Sequence, residues 1–211
     1  MPHVKPTRIY DASGRRAKAL AARNRIIDVA EQRFLANGYG PTSMQSVALE
    51  SGVSVDAIYK SFGGKPGLVR AIRDRALRGL DPIPAEQRSD RLHLEGRDPL
   101  EIIHEWGKLT AEVAPIIAPI LLLVRAAGVL DLELRALCDE FDRSRHRRMT
   151  ANARRLHSAG HLRAGVSVAT AADVLWTYSS AELYELLVVL RKWNAARYGR
   201  FVAEAMIAAL L

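Results

Sequence analysis

Between positions 42 and 65 the chain places Thr42, Ser43, Gln45, Ser54, Val55, Asp56, Tyr59, Lys60 and Lys65. Hydroxyl, amide and ammonium groups at this spacing suit recognition rather than bond-making. They donate to phosphate oxygens, and small or polar groups at a helix start reach base edges in the major groove. Chemistry of the bond-making kind is poorly supplied. Gly64-Lys65 is no phosphate-binding P-loop, because Tyr59 stands where the first glycine is needed and Pro66 where Ser or Thr is needed. His157 and His161 have helical spacing, but Gly160 lies between them and no carboxylate follows closely, so they read as exposed histidines at a helix end. Ser, His and acidic residues occur without an ordered nucleophile motif. No enzyme, metal or cofactor is therefore expected.

The recognition groups need two short helices to position them. Thr42-x-x-Gln45 has the form of a capping box, which starts a helix with Val47 and Ala48 on its apolar face. Ser51-Gly52-Val53 then supplies a sharp turn, since glycine takes positive φ without penalty. Ser54 is suited to cap the next helix. Ala57 and Ile58 would pack inward there, leaving Val55, Asp56, Tyr59 and Lys60 outward. Gly63-Gly64 ends that helix and Lys65-Pro66 begins another, with proline at a first helical position. The layout is that of a helix-turn-helix.

From about Arg23 to Leu68 the chain resembles the DNA-binding domain of the tetracycline-repressor (TetR) family. The pattern runs Ile27, Ala30, Phe34, Gly38-Tyr39, Thr42-Ser43, Val47-Ala48, Ser51-Gly52-Val53-Ser54, Ile58-Tyr59, Phe62, Lys65 and Leu68. The resemblance implies that Thr42 and Ser43 hold a phosphate, with Gln45 close by. It implies that Ser54, Val55, Asp56 and Lys60 lie on or beside the reading helix, and that Tyr59 and Lys65 contact phosphate. Two positions depart from the usual pattern. Asp56 is acidic where a neutral residue is commoner, and either accepts from a cytosine amino group or serves the dipole of its own helix. Gly63-Gly64 replaces a polar pair.

Charge agrees with a nucleic-acid partner. Residues 1–80 hold 14 Lys and Arg against 6 Asp and Glu, whereas residues 81–211 hold 17 of each, so the whole net charge of +8 lies in the first segment. Residues 1–19 read as a flexible basic arm with Lys5, Arg8, Arg15, Arg16 and Lys18, either a DNA-touching arm or an ordinary tail. Residues 20–66 form the reader domain, 67–80 a connecting helix and 81–211 a helical domain for effector binding and dimerisation. The expected class is all-α, a three-helix reader followed by that helical domain. The single cysteine, Cys138, excludes an intrachain disulfide framework and reads as a buried structural thiol. The longest apolar run, Val113 to Val124, is too short to span a bilayer and contains Pro115 and Pro119. A cytoplasmic protein without membrane contact is expected.

Beyond residue 80 the period is helical throughout. Glu86 to Arg97 reads as a loop or weak helix, and Asp98-Pro99 as a helix start. Pro115 and Pro119 are expected to divide one helix from its neighbour. Asp131 to Ala159 fits one long helix closed by Gly160. Its cluster of Arg143, Arg145, Arg147, Arg148, Arg154 and Arg155 reads as a solvated face. Thr170 to Leu190 and Asn194 to Leu211 are the candidate dimer helices, through Leu183, Leu186, Leu187, Leu190, Phe201, Ala205, Met206 and Ala209. The TetR resemblance implies the same arrangement, a homodimer on a near-palindromic double-stranded operator. It also implies a pocket for an unknown small-molecule effector. Candidates for its lining are Trp106, Thr110, Leu122, Arg125, Phe141, Arg145, Trp176 and Tyr178, although residues of these types are more often plain core. Arg125 interrupts an apolar stretch and is either paired, exposed or placed for an acidic ligand. A DNA-binding architectural protein without effector is the alternative function.

Overall fold

The computed structural model describes residues 12–79 and 81–211, and among them there is no strand. The first helix, α1, spans Ala12–Asn37. Ile26, Ile27, Ala30 and Phe34 recur at helical spacing and are buried, which gives α1 the stripe on which the reader is built. Helix begins at Ala12, so only residues 1–11 of the expected arm, with Lys5 and Arg8, lie outside the described residues.

Two short helices, α2 (Met44–Ser51) and α3 (Val55–Phe62), cross α1, and α4 (Lys65–Ala76) follows. The expected capping box at Thr42 and Gln45 does not form. Thr42 turns inside and donates its hydroxyl to the carbonyls of Gly38 at 2.8 Å and Arg33 at 3.1 Å, closing the end of α1. Ser43 caps α2 instead, accepting from the Ser46 amide at 3.1 Å. Gly52 takes φ +68°, which lets the Val53 amide reach the Ala48 carbonyl and turns the chain. Ser54 then caps α3 by accepting from the Ala57 amide. Gly63 and Gly64 have φ +75° and +128°, a pair that few other residues would tolerate.

The reader core is centred on Phe34, Val47, Ile58, Leu68 and Val69, all fully buried, with Tyr39 stacked on Phe34 at 5.3 Å. It is continuous with Ile120, Val124, Leu134, Leu137 and Phe141 of the next domain. Arginines of α1 and α4 tie the helices together. Arg25 donates to the Ser51 carbonyl at 2.7 Å, Arg33 pairs with Glu50 at 2.6 Å, and Arg75 pairs with both Asp28 and Glu31.

The second domain contains α5 (Ala85–Leu94), α6 (Pro99–Ala127), α7 (Leu132–Ser158), α8 (Val168–Tyr178), α9 (Ala181–Tyr184) and α10 (Ala195–Leu210). The segment read as loop or weak helix is thus helical as α5. Asp98, Asp131 and Asn194 cap α6, α7 and α10 with their side chains. Pro115 and Pro119 do not divide a helix: α6 runs through both. The prolines are four apart, so the carbonyls they leave unbonded fall on one side, and burial of Ala114, Ala118 and Ile120 holds the backbone helical. Thr170 to Leu190 is not one helix either. Ser179 ends α8, Ser180 caps α9, and α9 continues into a π-helical turn at Glu185–Leu190.

α6 is long and apolar enough to cross a membrane by length and composition. In this fold it is the central strut, with α10 along one side and α1, α4, α5, α7 and α9 also against it. Gly107 and Gly199 allow α6 and α10 to meet backbone to backbone. A Cβ on Gly107 would lie 2.4 Å from the Gly199 carbonyl oxygen.

Candidate nucleic-acid interface and ligand cavity

The recognition groups divide once folded. Ser43 and Gln45 on the α2 side, and Ser54, Asp56, Tyr59 and Lys60 on the α3 side, are exposed. Thr42 is 2% exposed and its hydroxyl is already engaged, so of the two hydroxyls only that of Ser43 is exposed. Val55 packs against the reader core rather than facing out, because the α3 stripe includes it beside Ile58. Lys65 donates from Nζ to the carbonyls of Tyr39 at 2.9 Å and Gly40 at 3.0 Å, and lies over the Tyr39 ring. Burial lowers its affinity for the proton, with Asp131 opposing that shift. It therefore pins the loop before α2.

Asp56 sits in the first turn of α3 and pairs with Lys60 at 2.8 Å, one turn along. Both groups are mostly exposed, so the pair is worth little to stability. Its effect is to neutralise part of the charge that α3 presents. Arg23 lies over the Phe62 ring at 4.4 Å.

A cavity of about 210 Å³ opens in the second domain, between α4, α5, α6, α7, α8 and α9. Of the expected lining, Trp106, Thr110, Arg125, Phe141 and Arg145 border it. Leu122, Trp176 and Tyr178 do not. Trp176 is drawn away under the Arg145 guanidinium at 4.5 Å, and Tyr178 packs edge-on to Phe201. Leu122 lies on α6 next to Leu121, which takes the cavity side. Sequence reasoning missed Arg73 and Leu77 of α4, Ser89 of α5 and Arg148, Met149 and Asn152 of α7. Arg70, Arg73 and Leu77 share one face at helical spacing, and that signal was available.

The arginine run on α7 is not a uniform solvated face. Arg143, Arg147 and Arg154 are exposed, but Arg145, Arg148 and Arg155 turn inward. Arg145 donates to the Trp176 carbonyl and to the Ser179 hydroxyl, and burial lowers its pKa while Asp142 and Glu182 oppose the shift. Arg148 and Arg155 converge on Asp90. Burial works against ionisation of Asp90, yet hydrogen bonds from both arginines outweigh it and hold the carboxyl below its usual range. Arg125 is paired rather than unpartnered, with Asp142 at 2.9 Å and Glu182 at 2.5 Å. Cys138 borders the cavity half-buried, with its thiol pKa raised by burial.

α4 joins the two regions. Its first residue holds the reader loop through Lys65, and its last turn and its C-cap border the cavity through Arg73 and Leu77. Between them Arg70 makes a two-pronged pair with Glu140 of α7, at 2.6 to 3.1 Å. That bond raises the Arg70 pKa and holds the Glu140 carboxyl low. On the far side of the domain Leu186, Val189 and Leu190 stand exposed on the π-helical turn. Leu183, Leu187, Phe201, Ala205 and Ala209 are partly buried beside them. Met206, expected at a dimer contact, is 2% exposed and belongs to the monomer's own core, because it faces α6 and the cavity.

An all-α chain with a helix-turn-helix joined to a helical domain by a shared helix has the build of a bacterial regulator. The family model described as "Bacterial regulatory proteins, tetR family" matches residues 26–72. That segment is a TetR-family DNA-binding domain, and the whole chain has the fold of TetR-family regulators. The solved SmeT–triclosan complex is similar at 21% identity and a TM-score of 0.71, over 90% of this chain and 92% of that one. NalD of Pseudomonas aeruginosa, described as the secondary repressor of the MexAB-OprM multidrug efflux pump, aligns at 20% identity and a TM-score of 0.70 over 91% and 98%. The transcriptional regulator FadR of Bacillus subtilis, solved with stearoyl-CoA, aligns at 18% identity and a TM-score of 0.69 over 90% and 100%. Among curated proteins no sequence matches the chain.

Proposed function

We propose that the chain is a dimeric repressor that binds a near-palindromic operator and releases it when a small molecule enters the cavity. The observation that carries this reading is the reach of α4 from the reader loop to the cavity wall. A ligand that binds better to one position of Arg73 and Leu77 than to another also biases the helix that follows the reader. Only that difference in affinity is required. NalD, a repressor, and SmeT and FadR, solved with triclosan and stearoyl-CoA, support a ligand-released repressor. DNA as partner implies that the protein works in the cytoplasm.

In this reading Ser43, Gln45, Ser54, Tyr59, Lys60 and Lys65 meet phosphates or bases, with Asp56 tempering the charge of α3. Leu183, Leu186, Leu187 and Leu190 meet their copies across a two-fold axis, with Phe201, Ala205 and Ala209 of α10. A two-fold dimer sets the reading helices one DNA turn apart, roughly 34–36 Å. An architectural DNA-binding protein would have no use for a hollow second domain, so the cavity weighs against that alternative. Selection of bound duplexes from a random pool tests the proposal. Enrichment of a near-palindrome with half-sites about one turn apart supports it. Enrichment of an isolated half-site, or of nothing, refutes the dimeric reader.

A further inference from the structure

The cavity wall carries more positive charge than its own carboxylates meet. Arg73, Arg125, Arg145 and Arg148 all border it. Arg125 takes both Asp142 and Glu182, and Arg148 shares Asp90 with Arg155. Arg145 is left with a looser hold on the same Asp142, at 3.6 Å. Arg73 has within 4 Å, among the described residues, only the carboxylate of its chain neighbour Asp74, at 3.9 Å, and Asp74 is mostly exposed. Four guanidinium groups thus border the cavity, and a fifth, Arg155, draws on the same set of three carboxylates, Asp90, Asp142 and Glu182. Glu86 also borders the cavity, but it is exposed to solvent.

The two under-matched cations sit together. Arg73 lies over the Phe141 ring at 4.6 Å and donates to the Ser144 hydroxyl at 3.3 Å, and Arg145 is the next residue of α7. The side chains of Arg73 and Arg145 are only 17% and 19% exposed. Their counter-charges are distant, shared or exposed: Asp74 for Arg73, with Glu140 adding to the field from its pair with Arg70, and Asp142 for Arg145. A guanidinium withdrawn from water beside so weak a counter-charge is costly, and it is the side chain best shaped to take a carboxylate two-pronged. The rest of the wall is apolar, with Leu109, Val113, Ile117, Leu121 and Leu175 among its lining. The cavity is therefore an apolar slot with a cationic end. Its volume lies below the roughly 300 Å³ at the low end of ligand pockets, so the occupant is small.

We infer that the cavity takes a small amphipathic carboxylate, its apolar body among the leucines of α6 and its carboxylate held by Arg73, with Arg145 adding to the field. The inference rests on the ligand-cavity reading above and goes beyond it by stating the ligand's charge. A neutral molecule of the same shape would leave the Arg73 charge unmet, and a cation would add to the repulsion.

Calorimetric titration of the full chain with octanoate and with 1-octanol tests it. Octanoate is expected to bind at least tenfold more tightly than 1-octanol. Arg73→Gln is expected to abolish that preference, and Arg73→Lys to keep part of it. Circular dichroism checks that the variants fold, and the wild-type ratio decides by itself should Arg73→Gln fail to fold. Equal affinities in the wild type, or an undiminished preference in Arg73→Gln, overturn the inference and leave the cavity reading standing. Binding of neither probe overturns both.

Discussion

The reader and the second domain are built of the same kind of helix, but they treat interior space differently. The reader fills it: Ala30, Phe34, Val47, Ile58, Leu68 and Val69 are wholly buried, and its buried polar groups Thr42 and Ser51 are hydrogen-bonded within their own turns. The second domain leaves a cavity of about 210 Å³ and draws Arg145 inward beside it. Close packing resists deformation, whereas a hollow with charges in its wall offers more than one arrangement of nearly equal energy. Under the proposed function, a rigid reader fixes how bases are met, and a hollow neighbour gives a ligand something to change.

The largest expected effect breaks the filled side. Phe34→Ala removes the ring stacked on Tyr39 and should cost about 3–5 kcal/mol, seen as a large drop in the urea midpoint. Adding volume should cost different amounts in the two regions. Ala30→Leu should cost about 1–3 kcal/mol, because no space awaits it. Leu109→Phe, at the cavity wall, should cost less than about 1 kcal/mol, because space does. If Leu109→Phe proved as damaging as Ala30→Leu, the contrast in packing would be lost.

That contrast explains what was legible beforehand. The reader's signals are local: Gly52, Ser54 and Gly63-Gly64 act on their own turns, so their roles follow from residue type alone. Even there Thr42 and Ser43 exchanged parts, because the end of α1 recruited the nearer hydroxyl and no rule of spacing ranks two adjacent caps. In the second domain the signals are tertiary. Pro115 and Pro119 mark a break by propensity, but packing of α6 against α10 overrides them. Arg145 and Arg147 look alike in sequence, and only the position of α8 and α9 decides that one is buried. Met206 has the periodicity of a dimer contact and of a core residue equally. The cavity was anticipated through its aromatic and basic lining but not through α4, since Arg73 belongs by sequence to the helix leaving the reader.

A substitution on the exposed face of the π-helical turn tests self-association without disturbing either interior. Leu186 is 54% exposed in the isolated chain. Leu186→Glu is expected to leave the melting temperature of the monomer nearly unchanged and to abolish the dimer in light scattering. Operator affinity should fall by roughly a hundredfold, about 2.7 kcal/mol, because each half-site is then bound alone. A dimer that survives this change places the interface elsewhere.

Within the reader, Tyr59 and Lys65 separate contact from support. Tyr59 is half-exposed, whereas Lys65 spends hydrogen bonds on Tyr39 and Gly40. Tyr59→Ala should weaken binding to all duplexes by about 1 kcal/mol with little change in stability. Lys65→Ala should lower both DNA affinity and the melting temperature, each by an effect of the same order. Binding to non-specific duplex that is unchanged in Tyr59→Ala would remove it from the interface.

The smallest expected effect is one of pH, and it falls on the second domain alone. Residues 12–79 contain no histidine, and all three tryptophans, at 106, 176 and 193, lie beyond residue 80, so their fluorescence reports the hollow domain. His93 on α5 lies 5.5 Å from the Trp106 ring, with its Nε2 buried and unpartnered. Burial, reinforced by Arg155, Arg148 and His161 and opposed by Asp90, lowers its pKa from 6.5 to about 4. A histidine depressed in this way is neutral in the folded state and gains a proton more readily when unfolded. Its contribution is therefore complete above pH 6.5 and is lost as pH falls from 6.5 through 4. The ring is partly open to solvent, so the effect should stay below about 1 kcal/mol. The urea midpoint followed by tryptophan fluorescence should decline between pH 6.5 and 5, before Asp90 and Glu140 begin to protonate. His93→Gln should flatten that decline, and a slope that persists in the variant would assign it to another group.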